Sequence, residues 1–237
     1  MNSGEIKNSI KLFWGDTLLE MFPSRSLFIH KTKELLISDI HLGKGEYFQQ
    51  NGIPLTNEGD KSNFDRIYKL IDKFKPNKLI ILGDLFHSKY ALSSNLKNNI
   101  EELTNYYKNK IIFIEGNHDR GCLIKNIIYL KNMKSLNLIY SHEPLNCNQK
   151  NILNICGHYH PKFILKDLKD KISLRCFALD KYTNTLYLPA FGDLTGGHFC
   201  KREFQKWGII SEKNMRTKRN DEKRRQAMRR PKMKIDE

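Results

Sequence analysis

The sequence has few features of a secreted or membrane-spanning protein. Its 237 residues include five cysteines, an odd number, and no two of them stand in a CxxC pair. A disulfide framework or a zinc–thiolate site is therefore not indicated. No apolar segment of a signal peptide opens the chain, and no apolar run approaches the roughly 20 residues of a membrane span. We expect free thiols, no membrane span and a cytoplasmic location.

Acidic residues are scarce relative to basic ones. The chain has 26 Asp and Glu against 41 Lys and Arg, for a formal net charge of +15. Such an excess predicts an anionic partner, nucleic acid first and a membrane surface second. A solvated, Lys-rich surface without a partner is the alternative. The stretch 211–237, with eleven basic and five acidic residues, is predicted to be a basic tail without a fixed fold.

The remaining residues, 1–210, are predicted to form a single domain. A hydrophobic content of 39% with 13 Phe and 10 Tyr excludes wholesale disorder, and the length allows a large core. Short apolar runs bounded by turn residues predict strands. These runs are 10–14, 17–21, 27–30, 35–37, 79–82, 111–114, 136–140, 152–156, 173–179 and 185–188.

Helices are predicted between several of these strands. Apolar residues at helical spacing indicate a helix over 64–74, and a second is expected over 95–107. The stretch 43–60 contains four glycines and a proline, so it is predicted to be a loop. Tyr47 and Phe48 in that loop either dock a flat ligand or fix the loop in place. Strands alternating with helices predict an α/β domain.

Five polar blocks follow predicted strands, and they hold the residue types that bind metals. The blocks are Asp39-Ile40-His41, Gly83-Asp84, Gly116-Asn117-His118-Asp119, His142 and Gly157-His158-Tyr159-His160. In open α/β sheets, ligands bind beyond the carboxyl ends of the strands. A carboxylate can bridge two cations, and imidazole and amide groups favour Mn²⁺, Fe or Zn²⁺ over Mg²⁺. The five blocks together predict a centre of two transition-metal ions, with Mn²⁺ as the first choice.

The order of these blocks resembles the motif pattern of the calcineurin-like metallophosphoesterase superfamily. The resemblance runs from Asp39 to His160 and implies a four-layer α/β/β/α sandwich with two mixed sheets flanked by helices. It also implies two ligand sets that share Asp84. The sets are Asp39, His41, Asp84 and His160 for one ion, and Asp84, Asn117, His142 and His158 for the other.

Further strings resemble the DNA-ligase-associated metallophosphoesterases within that superfamily. They are His41-Leu42-Gly43-Lys44, the stretch 48–55, the stretch 83–88, Gly157-His158-Tyr159-His160-Pro161 and the stretch 188–192. This closer resemblance implies a DNA-processing phosphodiesterase and possible partners among DNA ligases and helicases.

The expected reaction is hydrolysis of a phosphodiester, in DNA first, by a hydroxide that bridges the two cations. His118 maps onto the non-ligand histidine of the family and would act as the general acid. Asp119 would orient its imidazole or, alternatively, cap a turn. Lys44 and Arg120 would contact phosphate or face solvent, and His87 would line the cleft or make a structural contact.

Two other functions compete with this one. A phosphatase or phosphodiesterase acting on a small or lipid-linked phosphate ester would have the same metal centre, with the basic charge incidental. A non-catalytic binding module would use the fold as a scaffold, but such a protein should have lost ligands, and here every ligand position is filled.

Overall fold

The computed structural model describes residues 6–54, 56, 58–107, 110–122, 124, 129–145, 151–166, 171–211 and 214–218. The chain begins with β1 (Ile6–Lys7), an edge strand of the second of two sheets. The first sheet then forms from β2 (Ile10–Trp14), β3 (Thr17–Phe22), β4 (Ser26–Ile29), β5 (Glu34–Ile37), β6 (Lys78–Leu82), β7 (Ile111–Ile114) and β8 (Tyr129–Leu130), in that spatial order. Its first four strands are antiparallel, and β5 to β8 are parallel.

The second sheet contains most of the later strands. These are β9 (Asn132–Ser135), β10 (Leu138–Ser141), β11 (Leu153–Cys156), β12 (Pro161–Lys166), β13 (Lys171–Asp180), β14 (Thr185–Tyr187), β15 (His198–Phe199), β16 (Gln205–Ser211) and β17 (Asn214–Lys218). The main order is β1-β17-β16-β13-β14-β11-β10-β9, and β12 pairs with β13 and β15. Strands β10, β11 and β14 are parallel, so this sheet is also mixed.

Three α-helices lie among the described residues: α1 (Lys44–Gln50), α2 (Glu58–Phe74) and α3 (Ser94–Tyr106). A short 3₁₀ helix, Lys89–Ala91, precedes α3. The buried faces of α2 and α3 pack on the outer face of the first sheet. The predicted loop over 43–60 is therefore wrong in part. Its first half forms α1, and its last three residues begin α2. The glycines suggested a loop, but Gly43 serves as the N-cap of α1 in a left-handed conformation and Gly45 is buried within the helix.

The two sheets pack face to face, and alternation along the central strands separates two cores. In β5, Leu35 and Ile37 contact the helices, while Leu36 faces the second sheet. In β6, Ile81 belongs to the core with the helices, and Leu82 belongs to the core between the two sheets. Because both faces of the first sheet are covered, its central strands are continuous apolar runs in the sequence.

The predicted α/β class with two mixed sheets is confirmed. In the described part of the chain, Phe163 of β12 and Phe204 before β16 pack with Cys176 and Tyr187 on the outer face of the second sheet.

The predicted basic tail begins later than Ser211. Strand β17 pairs with β16 and β1, and Met215 is fully buried in the core between the sheets. Backbone pairing and one apolar residue fix this segment in spite of its basic composition. The tail from residue 219 onward lies outside the described residues.

Four of the five cysteines are described, and all four are free thiols, as predicted. They are Cys122, Cys156, Cys176 and Cys200. Cys147 lies outside the described residues. In the described ranges, no helix has the length and apolarity needed to cross a membrane.

Candidate metal centre

The carboxyl ends of parallel strands from both sheets meet at one edge of the sandwich. Strands β5, β6 and β7 run parallel in the first sheet, and β10 and β11 run parallel in the second. All seven predicted ligands follow these five strands. Backbone hydrogen bonds join the turns: Asp39 N donates to Gly83 O at 3.1 Å, and Gly157 N donates to His142 O at 3.1 Å. The structure therefore brings together residues up to about 120 positions apart in the sequence.

The first predicted ligand set forms a buried group. The ligand atoms of Asp39, His41, Asp84 and His160 all lie within 4.8 Å of one another. His160 Nε2 is 3.0 Å from Asp39 Oδ1, and His41 Nε2 is 3.6 Å from Asp84 Oδ2. These are the four residues that the resemblance assigned to one ion.

The second predicted set lies beside the first and is more open to solvent. The Oδ1 atom of Asn117 is 2.9 Å from His142 Nε2 and 3.1 Å from His158 Nδ1. Asp84 Oδ2 is 3.5 Å from His142 Nε2, so Asp84 touches both sets. Asn117 and His158 are exposed, which leaves this side of the centre accessible to a substrate.

The backbone at the ligands is strained. Five of the seven candidates have a positive φ, between 46° and 61°: Asp39, His41, Asp84, His158 and His160. This conformation costs a residue with a side chain about 1–3 kcal/mol, and such residues cluster at functional sites. The sharp turns aim side chains from consecutive loop positions at one point.

Two glycines allow backbone segments to approach the carboxylates closely. A Cβ at Gly116 would lie 2.2 Å from Asp84 Oδ1, and one at Gly157 would lie 2.4 Å from Asp39 Oδ2. Amides next to these glycines hold the same carboxylates: His118 N donates to Asp84 Oδ1 at 2.9 Å, and His158 N donates to Asp39 Oδ1 at 3.1 Å. The glycines of the polar blocks are therefore required by space rather than by turn type alone.

The donor set fits a metal. Both ring nitrogens of His41 are buried and have no hydrogen-bond partner among the described residues, an arrangement that is costly unless another ligand satisfies them. Burial lowers the pKa of His41 to about 3, so the imidazole is in the neutral form that coordinates metals. His142 Nδ1 donates to Leu82 O at 3.0 Å, which fixes its tautomer and leaves Nε2 for the centre.

The ionisation of the buried carboxylate is set by its imidazole neighbours. Burial raises the pKa of Asp39, but His160, His142 and His41 outweigh this effect, and the pKa is lowered below its usual value. A carboxylate held in its ionised form beside imidazole nitrogens suits a divalent transition-metal ion.

His118 lies next to the ligands without joining the second set. Its Nδ1 donates to the carbonyl of His87 at 2.8 Å, so Nε2 remains available. Its ring is parallel to that of His87, with centroids 5.9 Å apart, and it meets His41 edge-on at 5.1 Å. Ligand atoms of these three histidines also lie within 4.8 Å of one another.

The predicted contact between Asp119 and the imidazole of His118 is not formed. Both carboxylate oxygens of Asp119 accept backbone hydrogen bonds, from Phe86 N at 3.1 Å and from Gly116 N at 2.9 Å. The carboxyl is buried, and burial raises its pKa to about 6. Asp119 therefore joins the turn after β7 to the turn after β6, and the carbonyl of His87 orients His118 instead.

The three predicted substrate contacts lie in different environments. His87 is half-buried against the rings of Tyr47 and Phe48, and burial together with Lys44 and His118 lowers its pKa to about 4. It is therefore neutral near pH 7. Lys44 is half-buried at the start of α1, with Nζ 5.9 Å from the ring centroid of Phe48. Arg120 is exposed on the turn after Asp119.

An arginine network beside the centre escaped the sequence reasoning. Arg175 donates to the carbonyls of Gly192, Asp193 and Thr195 at 2.8–2.9 Å. The loop that it holds packs on the turn after β5, where Gly192 N donates to Asp39 O at 3.1 Å. A lone arginine in a strand gives no sequence signal for carbonyl partners about 15–20 residues later.

Comparison with known proteins gives the chain a place among them. The sequence model described as calcineurin-like phosphoesterase matches residues 33–211. The fold is similar to a solved nuclease, MPE from Pseudomonas putida, with a TM-score of 0.69 and 24% identity, over 85% of this chain and 97% of that one. It is also similar to YfcE, a phosphoesterase from E. coli, over 75% of this chain and 88% of that one, but at a TM-score of 0.43 and 14% identity. No curated protein gave a significant match.

The matched range contains every candidate ligand and most of both sheets. It covers well over half of the chain, and the structure places polar groups suited to a metal pair where the strands of that range end. The protein therefore belongs to the calcineurin-like phosphoesterase family, and it is a hydrolase of phosphoric ester bonds.

Proposed function

We propose that the protein is a dinuclear phosphodiesterase that cleaves nucleic acid, with DNA as the first candidate. The observation that carries this proposal is the pair of adjacent ligand groups joined by Asp84. Phosphoryl-transfer enzymes with two metals hold the ions about 3.5–4 Å apart, and one carboxylate between two sets of donors suits that spacing.

The donors favour transition metals because imidazoles outnumber carboxylates among them. Mn²⁺ is the proposed ion, with Fe or Zn²⁺ as alternatives. Two such cations bound here would neutralise the phosphate oxygens and lower the pKa of water for attack on phosphorus.

The residues of the chain supply position and a proton. His118 presents Nε2 toward the accessible side, because Nδ1 is held by the carbonyl of His87. A protonated Nε2 can donate to the leaving oxygen as the phosphodiester breaks. Asp84 and Asp39 are held by backbone amides, so they need no rearrangement when substrate binds.

Charge and access support a polyanionic substrate. The net charge is +15, and the exposed Asn117 and His158 leave one side of the centre open. Lys44 and Arg120 are proposed as phosphate contacts, and His87 is proposed to line the cleft as a neutral imidazole. The solved protein of similar fold from Pseudomonas putida is a nuclease, and nuclease activity of the present chain rests on the proposal alone.

Membership of the DNA-ligase-associated subfamily, and a ligase or helicase partner with it, extend the same proposal. The strings after β5 and β6 that suggested this subfamily lie next to the metal centre, in the loop that leads to α1 and in the turn that holds His87. Free thiols support a reducing compartment, and we propose the cytoplasm.

The test is hydrolysis by the full chain after removal of metal and reconstitution with Mn²⁺. We expect faster turnover of bis-p-nitrophenyl phosphate than of p-nitrophenyl phosphate, and cleavage of single-stranded DNA. The chelated protein is the control and should be inactive on all three substrates.

Two results would contradict the proposal. Faster turnover of the monoester with intact DNA would indicate a phosphatase acting on small substrates. Activity that persists without metal would remove the candidate centre from the reaction.

A further inference from the structure

A large groove runs along one flank of α2, at the margin of the core that this helix forms with the first sheet. Its volume is about 1010 Å³, and it runs between α2, the β3–β4 turn, β13 and the end of β16. Six basic residues line it, against two acidic ones, Glu58 and Asp65. The basic residues are Arg25, Lys61, Arg66, Lys69, Lys73 and Arg175. None of the seven candidate ligands lines this groove.

The lysines share one face of α2. Lys61, Lys69 and Lys73 occupy positions spaced by multiples of four residues, and all three side chains are exposed. From the first to the third, the helix rises about 18 Å, which is the length of several nucleotides in a strand. This face therefore presents a row of cations and not a single charge.

The lysines are available to a ligand, whereas the arginines serve the fold. Arg25 and Arg66 contact Asp193 at 2.6 and 3.0 Å, and Arg175 donates to loop carbonyls. Among the described residues, neither Lys61 nor Lys69 forms a salt bridge. Lys73 Nζ lies over the rings of Phe22 and Phe74, 5.4 and 5.0 Å from their centroids, contacts that leave its charge uncompensated by an acid. A row of ammonium groups without acidic partners, set in a concavity, attracts a polyanion.

The part of the groove lined by Arg25 and Arg175 is close to the candidate metal centre. Arg25 and Arg175 both bind the loop whose Gly192 N donates to Asp39 O. Two causes lower the pKa of the Lys44 ammonium: the larger is burial, and the second is the charge of Arg175 nearby. One loop thus separates the groove from the cleavage centre.

We propose that this groove binds the phosphate backbone of a nucleic-acid strand on one side of the bond that is cut. The proposal rests on the proposed function and deepens it, because it adds a second contact site for the same polyanionic substrate. A membrane is a poorer fit, because a flat lipid surface does not follow the walls of a concave groove. Leu174 and Ile209 line the groove beside these charges and offer apolar contacts to bases.

The experiment measures binding of a fluorescent single-stranded oligonucleotide to the metal-loaded full chain. Phosphorothioate linkages keep the probe intact, and its length exceeds a site of roughly 4–16 nucleotides. The groove variant combines Lys61→Gln, Lys69→Gln and Lys73→Gln. The matched control removes three exposed charges elsewhere, by Lys97→Gln, Lys131→Gln and Lys134→Gln.

We expect the groove variant to bind on the order of tenfold more weakly than the control at about 0.1 M salt. The slope of log affinity against log salt should fall by about 2, at roughly 0.7 for each lost phosphate contact. The corresponding triple Lys→Arg variant should bind like the unchanged protein, which separates lost charge from lost folding. A dinucleotide probe, too short to reach the groove, should not distinguish the variants.

Equal slopes for the groove and control variants would overturn the proposal. It would also be overturned if the groove variant kept its affinity for the oligonucleotide and lost affinity for polyglutamate or for phosphatidylglycerol vesicles. Hydrolysis of bis-p-nitrophenyl phosphate by the unchanged protein tests the proposed function separately, because this diester is too small to reach the groove.

Discussion

The candidate metal centre and the basic groove proposed to bind nucleic acid are built in opposite ways. The centre consists of short side chains on strained turns, where donors sit within 4.8 Å and backbone amides hold the carboxylates. The groove consists of long, exposed side chains on a regular helix. One region depends on the position of each atom, and the other depends on total charge.

This difference predicts how each region responds to substitution. Replacing a single ligand atom in the centre should abolish nearly all activity, because a ligand set with one wrong donor does not hold its ion. Each charge in the groove should add a similar amount to the affinity for nucleic acid. These contributions should decrease as salt is added, since exposed charges are screened over about 10 Å at 0.1 M ionic strength. The following substitutions test that contrast.

The largest effect is expected for Asp84→Asn. Asp84 touches both ligand sets, through His41 at 3.6 Å and His142 at 3.5 Å. Asn has the same size but lacks the charge that offsets two cations, so turnover of bis-p-nitrophenyl phosphate should fall by roughly a thousandfold. Elemental analysis should show less than two metals per chain. Normal turnover would exclude Asp84 as the bridging ligand.

His118→Gln should remove the proposed general acid and leave metal binding intact. We expect turnover to fall by about a hundredfold or more for diesters with a poor leaving group, and less for nitrophenyl esters, which need no proton. Metal content should be unchanged. His198→Gln is the control: its exposed imidazole lies outside both ligand sets, and the bond from its backbone amide to the carbonyl of His160 survives the substitution. An equal loss for both kinds of leaving group would contradict a general-acid role.

Gly157→Ala should displace the centre without changing its chemistry. The new Cβ would lie 2.4 Å from Asp39 Oδ2, so either the carboxylate or the turn must shift. A shift of about 1 Å lowers activity by up to a hundredfold. Gly196→Ala is the matched control, because a Cβ there meets nothing within 4 Å. If the two variants had the same activity, packing around Asp39 would not be fixed as described.

The smallest effect is expected for Asp193→Asn, between the two regions. Burial raises the pKa of Asp193, but Arg25, Arg66 and Ser62 outweigh it and hold the pKa at about 2. The ionised Asp193 therefore stabilises the folded protein in full when the pH is above 3.8, the pKa of an unperturbed Asp. This stabilisation is lost as the pH falls toward 2.

Urea unfolding at pH 7 should show Asp193→Asn less stable by about 1–2 kcal/mol, a figure reduced for partial exposure. The difference from the unchanged protein should shrink as the pH falls through 3. Asp65→Asn, on the exposed face of α2, is the control and should leave the stability unchanged at both pH values. A difference that grows toward low pH would contradict the ion pairs.

The strands, and the gathering of the candidate ligands at one edge, were predictable because one local rule connects them. Buried parallel strands are continuous apolar runs, and polar residues directly after them must lie at one edge of the sheet. Asp84 after β6 and His142 after β10 follow this rule, so sequence order was enough to place them. The bridging role expected of Asp84 came from the family resemblance.

Other features depend on contacts that no local pattern records. Helix α1 forms where Gly43 and Gly45 suggested a loop, because Gly43 caps the helix and its amide donates to Asp60 Oδ2 at 2.8 Å. Asp119 binds the amide of Phe86, which is 33 residues away. The arginines that hold the loop after β14 also find their partners only once both sheets have packed.

The hydrogen bond from His158 N to Asp39 Oδ1 joins the second sheet to a carboxylate of the first. Neither sheet alone carries a complete ligand set, since imidazoles from β10 and β11 must reach acids that follow β5 and β6. A ribosome-bound chain that has emerged only as far as β8 still lacks His142, His158 and His160. Acquisition of both ions must therefore wait until the two halves dock, so that catalytic competence appears as a late event in the biogenesis of the molecule.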